Sequence, residues 1–319
     1  MIKKFWAMFV FLTVVISPQD SLYAKEKLKI ISSFSILGNM IQSVCGEHAD
    51  VVSLVGVDAD AHVYEPKPSD AKLILKADAI FMNGMEFEGW MKRLFEATKT
   101  SAPIFNATKG LKPLSSSHHE MILDPHAWSS PLSGIFYIEN IMRALSQIDP
   151  DHASVFEKNA KAMIDELRSL HHWAKAEFEK IPQNKRKVIT NHDAFNYMAR
   201  DYGIQFYSAT GMDTQSEPSA KKIAQIVDII REKNITAVFV ENITNPALME
   251  QIAEETGVKI GGILYSDALS PLDGPAPTYL KLLKHNFVAL LKTMTKTMEK
   301  STQANEPGLD HSTVTQTGA

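Results

Sequence analysis

The segment 149–182 constrains the fold more than any other stretch. Apolar residues recur at Phe156, Ala160, Met163, Leu167, Leu170, Ala174, Phe178 and Ile181, the three- and four-residue gaps of one helix face. Asp149 suits a helix cap, Pro150 the first helical position and Pro182 a stop, and no glycine lies between. One unbroken helix of about 32 residues at ~1.5 Å each spans roughly 48 Å. The expectation is a rigid strut with a lobe on either side. A long surface helix within one domain is the plainer alternative.

A length of 319 residues accommodates two domains. With 45% hydrophobic and 22% charged residues the chain has the composition of a globular protein, and its net charge is −4. There is no basic patch with interleaved aromatics, so a nucleic-acid partner is not expected. Lys3 and Lys4 precede an apolar run over 5–16 that only Thr13 interrupts. That run is short for a bilayer span and has the length of a secretory signal. Residues 1–24 are read as a signal peptide cut after Ala24, which places the chain outside the cytoplasm, in the periplasm. No later stretch is apolar enough to span a membrane. The single cysteine, Cys45, allows no internal disulfide and reads as a buried small hydrophobe.

Strands alternate with helices on both sides of the strut. Before it, strands are expected at 28–32, 51–55, 79–82 and 104–106, with helices at 33–44, 68–76, 87–98 and 131–148. After it, strands are expected at 187–190, 205–208, 236–240 and 259–265. The helices of this half begin near Asp193, Glu217, Asn245 and Thr278. Residues 300–319 are polar, and disorder is expected there. Such alternation implies α/β lobes with parallel sheets, 25–148 and 183–299, around the linker helix. Ligands of open α/β sheets bind beyond the carboxyl ends of strands. His62, His192 and Asp267 each follow an expected strand, and His126 lies in a longer loop after one. All four are therefore expected at the cleft between lobes. Imidazole and carboxylate donors suit zinc in a tetrahedral site.

These residues also carry a resemblance. The run from Asp60-Ala61-His62 through Glu65-Pro66 to Ser69-Asp70 is followed in order by Asp124-Pro125-His126-Ala127-Trp128, His192-Asp193-Ala194-Phe195 and Tyr265-Ser266-Asp267. The set resembles the zinc/manganese solute-binding proteins of ABC importers over essentially the whole chain after residue 24. The resemblance implies two Rossmann-like lobes with mostly parallel sheets, joined by one long rigid helix, and metal ligands at His62, His126, His192 and Asp267. It implies Zn2+ as cargo, or Mn2+ as the alternative, and as partners a membrane permease and its separate ATPase. A histidine at the third position goes with zinc in that family and a glutamate with manganese or iron, although some three-histidine members handle manganese. A monomer is expected.

Other readings compete. Three histidines with Glu65 as base would suit a secreted zinc hydrolase, but no H-E-x-x-H motif exists and Asp267 would close the site. A surface metal buffer or adhesin is a third reading. Glu65, Asp124 and Asp193 stand beside candidate ligands and are candidates for orienting them. His118 and His119 would recruit metal only weakly. His171 and His172 read as strut packing or solvated surface, Tyr64 and Trp128 as cleft walls.

Overall fold

The computed structural model describes residues 26–115, 122–212, 214, 217–235 and 237–303. The expected signal segment, His118, His119 and residues 304–319 of the expected disordered tail lie outside the described residues.

Two four-stranded parallel sheets organise the chain. In the first, β1 (Leu28–Phe34), β2 (Ala49–Val55), β3 (Ala79–Met82) and β4 (Ile104–Asn106) are ordered β2-β1-β3-β4. In the second, β5 (Lys187–Thr190), β6 (Gln205–Ser208), β7 (Ala237–Glu241) and β8 (Lys259–Leu264) are ordered β6-β5-β7-β8. Every described strand pair is parallel, so each connection crosses over through a helix or loop. The central strands β1, β3, β5 and β7 are buried on both faces over most of their length. The first sheet carries α1 (Ser35–Cys45), α2 (Pro68–Ile74) and α3 (Gly89–Thr98). α4 (Pro131–Ile148) and α5 (Ala153–Glu179) lie between the sheets in sequence. The second carries α6 (Asn196–Tyr202), α7 (Ala220–Lys233), α8 (Ala247–Thr256) and α9 (Tyr279–Gln303).

The strut is shorter than its periodicity suggests. Pro150–His152 forms a separate 3-10 turn, and α5 has 27 residues, about 40 Å at ~1.5 Å per residue. Asp149 does not cap it. Its carboxylate pairs instead with Nδ1 of His152 at 2.6 Å, which holds the chain in a turn before α5 begins. A second boundary also moves for a side-chain reason. β1 runs on to Phe34, because Ser33 does not cap α1; its hydroxyl donates to the buried Glu88 at 2.6 Å. The α7 start matches its cap, with Ser219 Oγ accepting from Lys222 N–H.

One apolar core runs through both halves. It joins Ile30, Ile80 and Trp128 of the first half to Phe156, Leu167 and Phe178 of α5. The same cluster takes in Tyr197, Phe239 and Leu264 of the second half. A smaller cluster, including Ile189, Ile226, Val238 and Ile252, fills the space under α7 and α8. α9 returns to the first half: Tyr279 Oη donates to Trp128 O at 2.7 Å. That approach needs a glycine, since a Cβ on Gly134 of α4 would sit 2.3 Å from Tyr279 Oη.

A shared core and a strut without internal proline or glycine oppose wide hinge motion. Small-angle scattering on metal-free and zinc-loaded protein should give superimposable radii of gyration. A marked compaction on loading would refute the rigid connection.

Candidate metal centre

Each sheet presents its loops at the carboxyl ends of its strands, and the four candidate side chains come from those loops. His62 lies between β2 and α2, and His126 follows β4. His192 leaves β5 after one residue, and Asp267 follows β8. The structure brings all four together, with one donor atom from each within 4.8 Å of all the others. His62 Nε2 is 3.1 Å from His126 Nε2 and 3.2 Å from Asp267 Oδ2. His192 Nε2 is 3.2 Å from the same oxygen, and His126 Nε2 is 3.9 Å from Asp267 Oδ1. A tetrahedron with bonds of about 2.0–2.1 Å places donor atoms roughly 3.3 Å apart. The shorter spacings meet that geometry.

Carboxylates hold the backbone N–H of all three histidines and the rings of His126 and His192. The His62 N–H donates to Asp60 Oδ1 at 2.8 Å, which turns the loop inward. The His126 N–H donates to Asp124 Oδ1 at 2.9 Å, and its Nδ1 meets the same oxygen at 2.8 Å. The His192 N–H donates to Glu241 Oε1 at 2.9 Å, and its Nδ1 meets Glu241 Oε2. A carboxylate on Nδ1 holds the proton there and leaves the Nε2 lone pair for a cation. Trp90 Nε1 donates to Ala61 O at 2.8 Å, and the Phe87 ring stands 4.8 Å from that of His62. Trp128 forms part of the wall, its ring 5.2 Å from His126 and its Nε1 donating to Ser266 O. Tyr64 is farther out, donating to Asp70.

The electrostatics are those of a site built around positive charge. His126, His192 and Asp267 are fully buried. His192 Nε2 and both Asp267 oxygens have no hydrogen-bond partner among the described residues, although imidazole and carboxylate lie at charge-pair distance. Burial alone would lower the His192 pKa, but the Glu241 and Asp267 carboxylates outweigh it and hold it well above the ordinary imidazole value. Burial pushes Asp267 up, and the three imidazoles, His192 foremost, hold it well below the usual carboxylate range. Beneath Phe87, burial raises Glu88 to about 7 against the bonds it accepts from Ser33 and the Asn83 and Gly84 amides.

Glu65 does not join the cluster. It is exposed, and the described residues bring no other His, Cys, Asp or Glu group together in this way. His171 is strut packing, with Nδ1 3.1 Å from Tyr202 Oη. Glu241 was absent from the sequence reading. It closes the apolar run Ala237–Glu241, so an acidic residue at a strand's carboxyl end was the available signal.

The family profile described as zinc-uptake complex component A, periplasmic (ZnuA), matches residues 30–293. The iron-binding protein YfeA of Yersinia pestis is 34% identical over 278 residues, covering 86% of this chain and 88% of that protein. The manganese-binding lipoprotein MntA of Halalkalibacterium halodurans is 34% identical over 262 residues, covering 82% and 86%. A manganese-bound variant of a periplasmic metal-binding protein from Candidatus Liberibacter asiaticus is 33% identical, with a TM-score of 0.78 over 83% of this chain and 98% of that one. The periplasmic zinc-binding protein TroA of Treponema pallidum shares the fold, with a TM-score of 0.80 over 84% and 99% at 23% identity. The chain therefore belongs to the ZnuA family.

Proposed function

We propose that this chain is an extracytoplasmic receptor that captures one divalent transition-metal ion and delivers it to the permease of an ABC importer. His62, His126, His192 and Asp267 are the ligands. The observation that carries the reading is the buried Asp267 carboxylate, without a hydrogen-bond partner among the described residues and faced by three imidazoles. Leaving such a carboxylate without hydrogen bonds is expensive, and a divalent cation is the partner that its neighbours are arranged to hold.

Zinc is the first cargo in this reading. Three imidazoles and one carboxylate at close spacing suit a four-coordinate ion, whereas manganese favours more oxygen donors. Manganese is the second reading, favoured by the relatives named for iron and manganese. Four protein donors leave no position open for a substrate, and Glu65 points to solvent, so the hydrolase reading is set aside. A separate ATPase drives transport, since the chain has no phosphate-binding G-x-x-x-x-G-K-[ST] run. Residues 1–24 act as an export signal, 25–148 and 183–299 as the two lobes, and the receptor works as a monomer. No described helix is long and apolar enough to cross a membrane.

Metal should stabilise the folded chain, because the donors come from both lobes. At zinc one hundredfold over its dissociation constant the gain is about 2.7 kcal/mol, read as a raised thermal midpoint. An unchanged midpoint at saturating zinc and manganese would remove the proposed site.

Acid should release the ion. His192 has a raised pKa in the metal-free protein, so its bound proton stabilises that form below the raised value and is lost as pH rises through it. The metal needs the neutral ring and competes with that proton. Affinity should fall by at least about tenfold per pH unit once pH drops below the raised value. Zinc titrations at pH 7, 6 and 5 measure this, and identical isotherms would exclude a His192 ligand.

His192→Glu should lower the zinc-to-manganese affinity ratio, since a carboxylate is a harder donor than imidazole. Competition titration decides the point. A ratio that stays constant or rises would deny position 192 a role in selection.

A further inference from the structure

The start of α6 makes a contact that the ligand set does not account for. Asn196 Nδ2 donates to Asp124 Oδ2 at 3.0 Å and to Asp193 Oδ1 at 2.9 Å. Chemistry fixes the orientation of the amide, because its oxygen in that place would face two carboxylates. Asp124 belongs to the first half, where its other oxygen takes both the backbone N–H and Nδ1 of His126. Asp193 belongs to the second half, next to His192, and its own N–H is held by Gly211 O at 2.9 Å. One side-chain amide therefore spans the boundary, from the carboxylate that aims His126 to the residue that follows His192. Tyr197 makes a parallel strap, accepting from Leu114 N–H at 3.1 Å and donating to Asp124 O at 2.9 Å.

We infer that Asn196 is a positioning residue that locks the His126 half of the site onto the His192 half and sets how slowly the bound cation leaves. The inference rests on the proposed ligand set. An ion gripped from both lobes departs only when the two halves part locally. Parting strips Asp124 or Asp193 of a donor, and hydrogen bonds to charged groups are the stronger class. Entry passes the same local opening, but before capture no cation draws the halves together, so they part more readily then. The bridge therefore acts on release more than on capture, as buried charge-assisted contacts do in other interfaces.

Two substitutions test it. Asn196→Ala deletes the donor. Asn196→Asp keeps the shape and suits the first turn of a helix, but sets a third carboxylate against the other two. A residue that only filled space or started α6 would tolerate Asn196→Asp. The full chain is loaded with zinc and mixed with excess EDTA, and release is followed by stopped flow. Release should quicken about tenfold for Asn196→Ala and further for Asn196→Asp, with the association rate within about twofold of the unsubstituted protein. Metal-free unfolding midpoints establish that each variant is folded. Release at the unsubstituted rate in either folded variant overturns the inference, as does an equal slowing of association. Failure of both variants to fold also overturns it, because Asn196 is then a residue of the fold. Unsubstituted protein that holds neither zinc nor manganese would instead remove the ligand set.

Discussion

Asp124, Glu241 and Asp267 are buried together in one small region, and the rest of the site follows from that. A carboxylate withdrawn from water is tolerated when it is paired and hydrogen-bonded. Asp124 and Glu241 meet the condition within the protein, each taking a backbone N–H and an imidazole Nδ1. Asp267 does not: neither of its oxygens has a hydrogen-bond partner among the described residues, and both face imidazole nitrogens. Burial alone would lower the His192 pKa, and the Glu241 and Asp267 carboxylates outweigh it and hold it above the ordinary imidazole value. Proton and metal then compete for the same lone pair. The carboxylates behind the rings raise the basicity of the ligands and, by the same charge, their affinity for protons.

The sheets make this arrangement reachable. Both have the strand order 2-1-3-4 within their own halves, so both send their loops out at carboxyl ends that converge on the boundary. No single loop carries the site. It is assembled from segments that lie about 200 residues apart in sequence (His62 and Asp267), and only a fixed relation between the halves keeps His62 Nε2 3.2 Å from Asp267 Oδ2. α5, α9 and the common core provide that relation. A flexible hinge would let the halves drift apart and would leave Asp267 exposed to water, where its pairing with imidazole is worth far less.

Much of this was legible in the chain. The strand-helix alternation and the placement of His62, His126, His192 and Asp267 after strands were enough to bring them together on paper, because the carboxyl-end rule concerns local direction. What was not legible depends on contacts between distant segments. The first turn of the strut is lost to an Asp149–His152 pair that competes with the cap. Ser33 reads as a helix cap until Glu88 is seen beneath it. Glu65 is near His62 in sequence yet is exposed, as is Val63, because the chain bends at His62 and the residues after it turn away from the cluster. Asn196 carries no motif at all. Its bridge exists only because two lobes meet.

Relatives at similar identity are named for iron and manganese, and they match this chain over most of its length. The fold is therefore compatible with several cations and cannot choose among them. Choice has to reside in donor type, spacing and the freedom of the donors to move apart. Enclosure bears on the last of these. A six-coordinate ion needs added waters or a second carboxylate oxygen, while His126, His192 and Asp267 are sealed from solvent. Widening the cage for such an ion means shifting a ring whose Nδ1 and backbone are both tied to one carboxylate, at His126 and again at His192. Those paired ties resist expansion, and the proposed preference for zinc rests on them as much as on the identity of the donors.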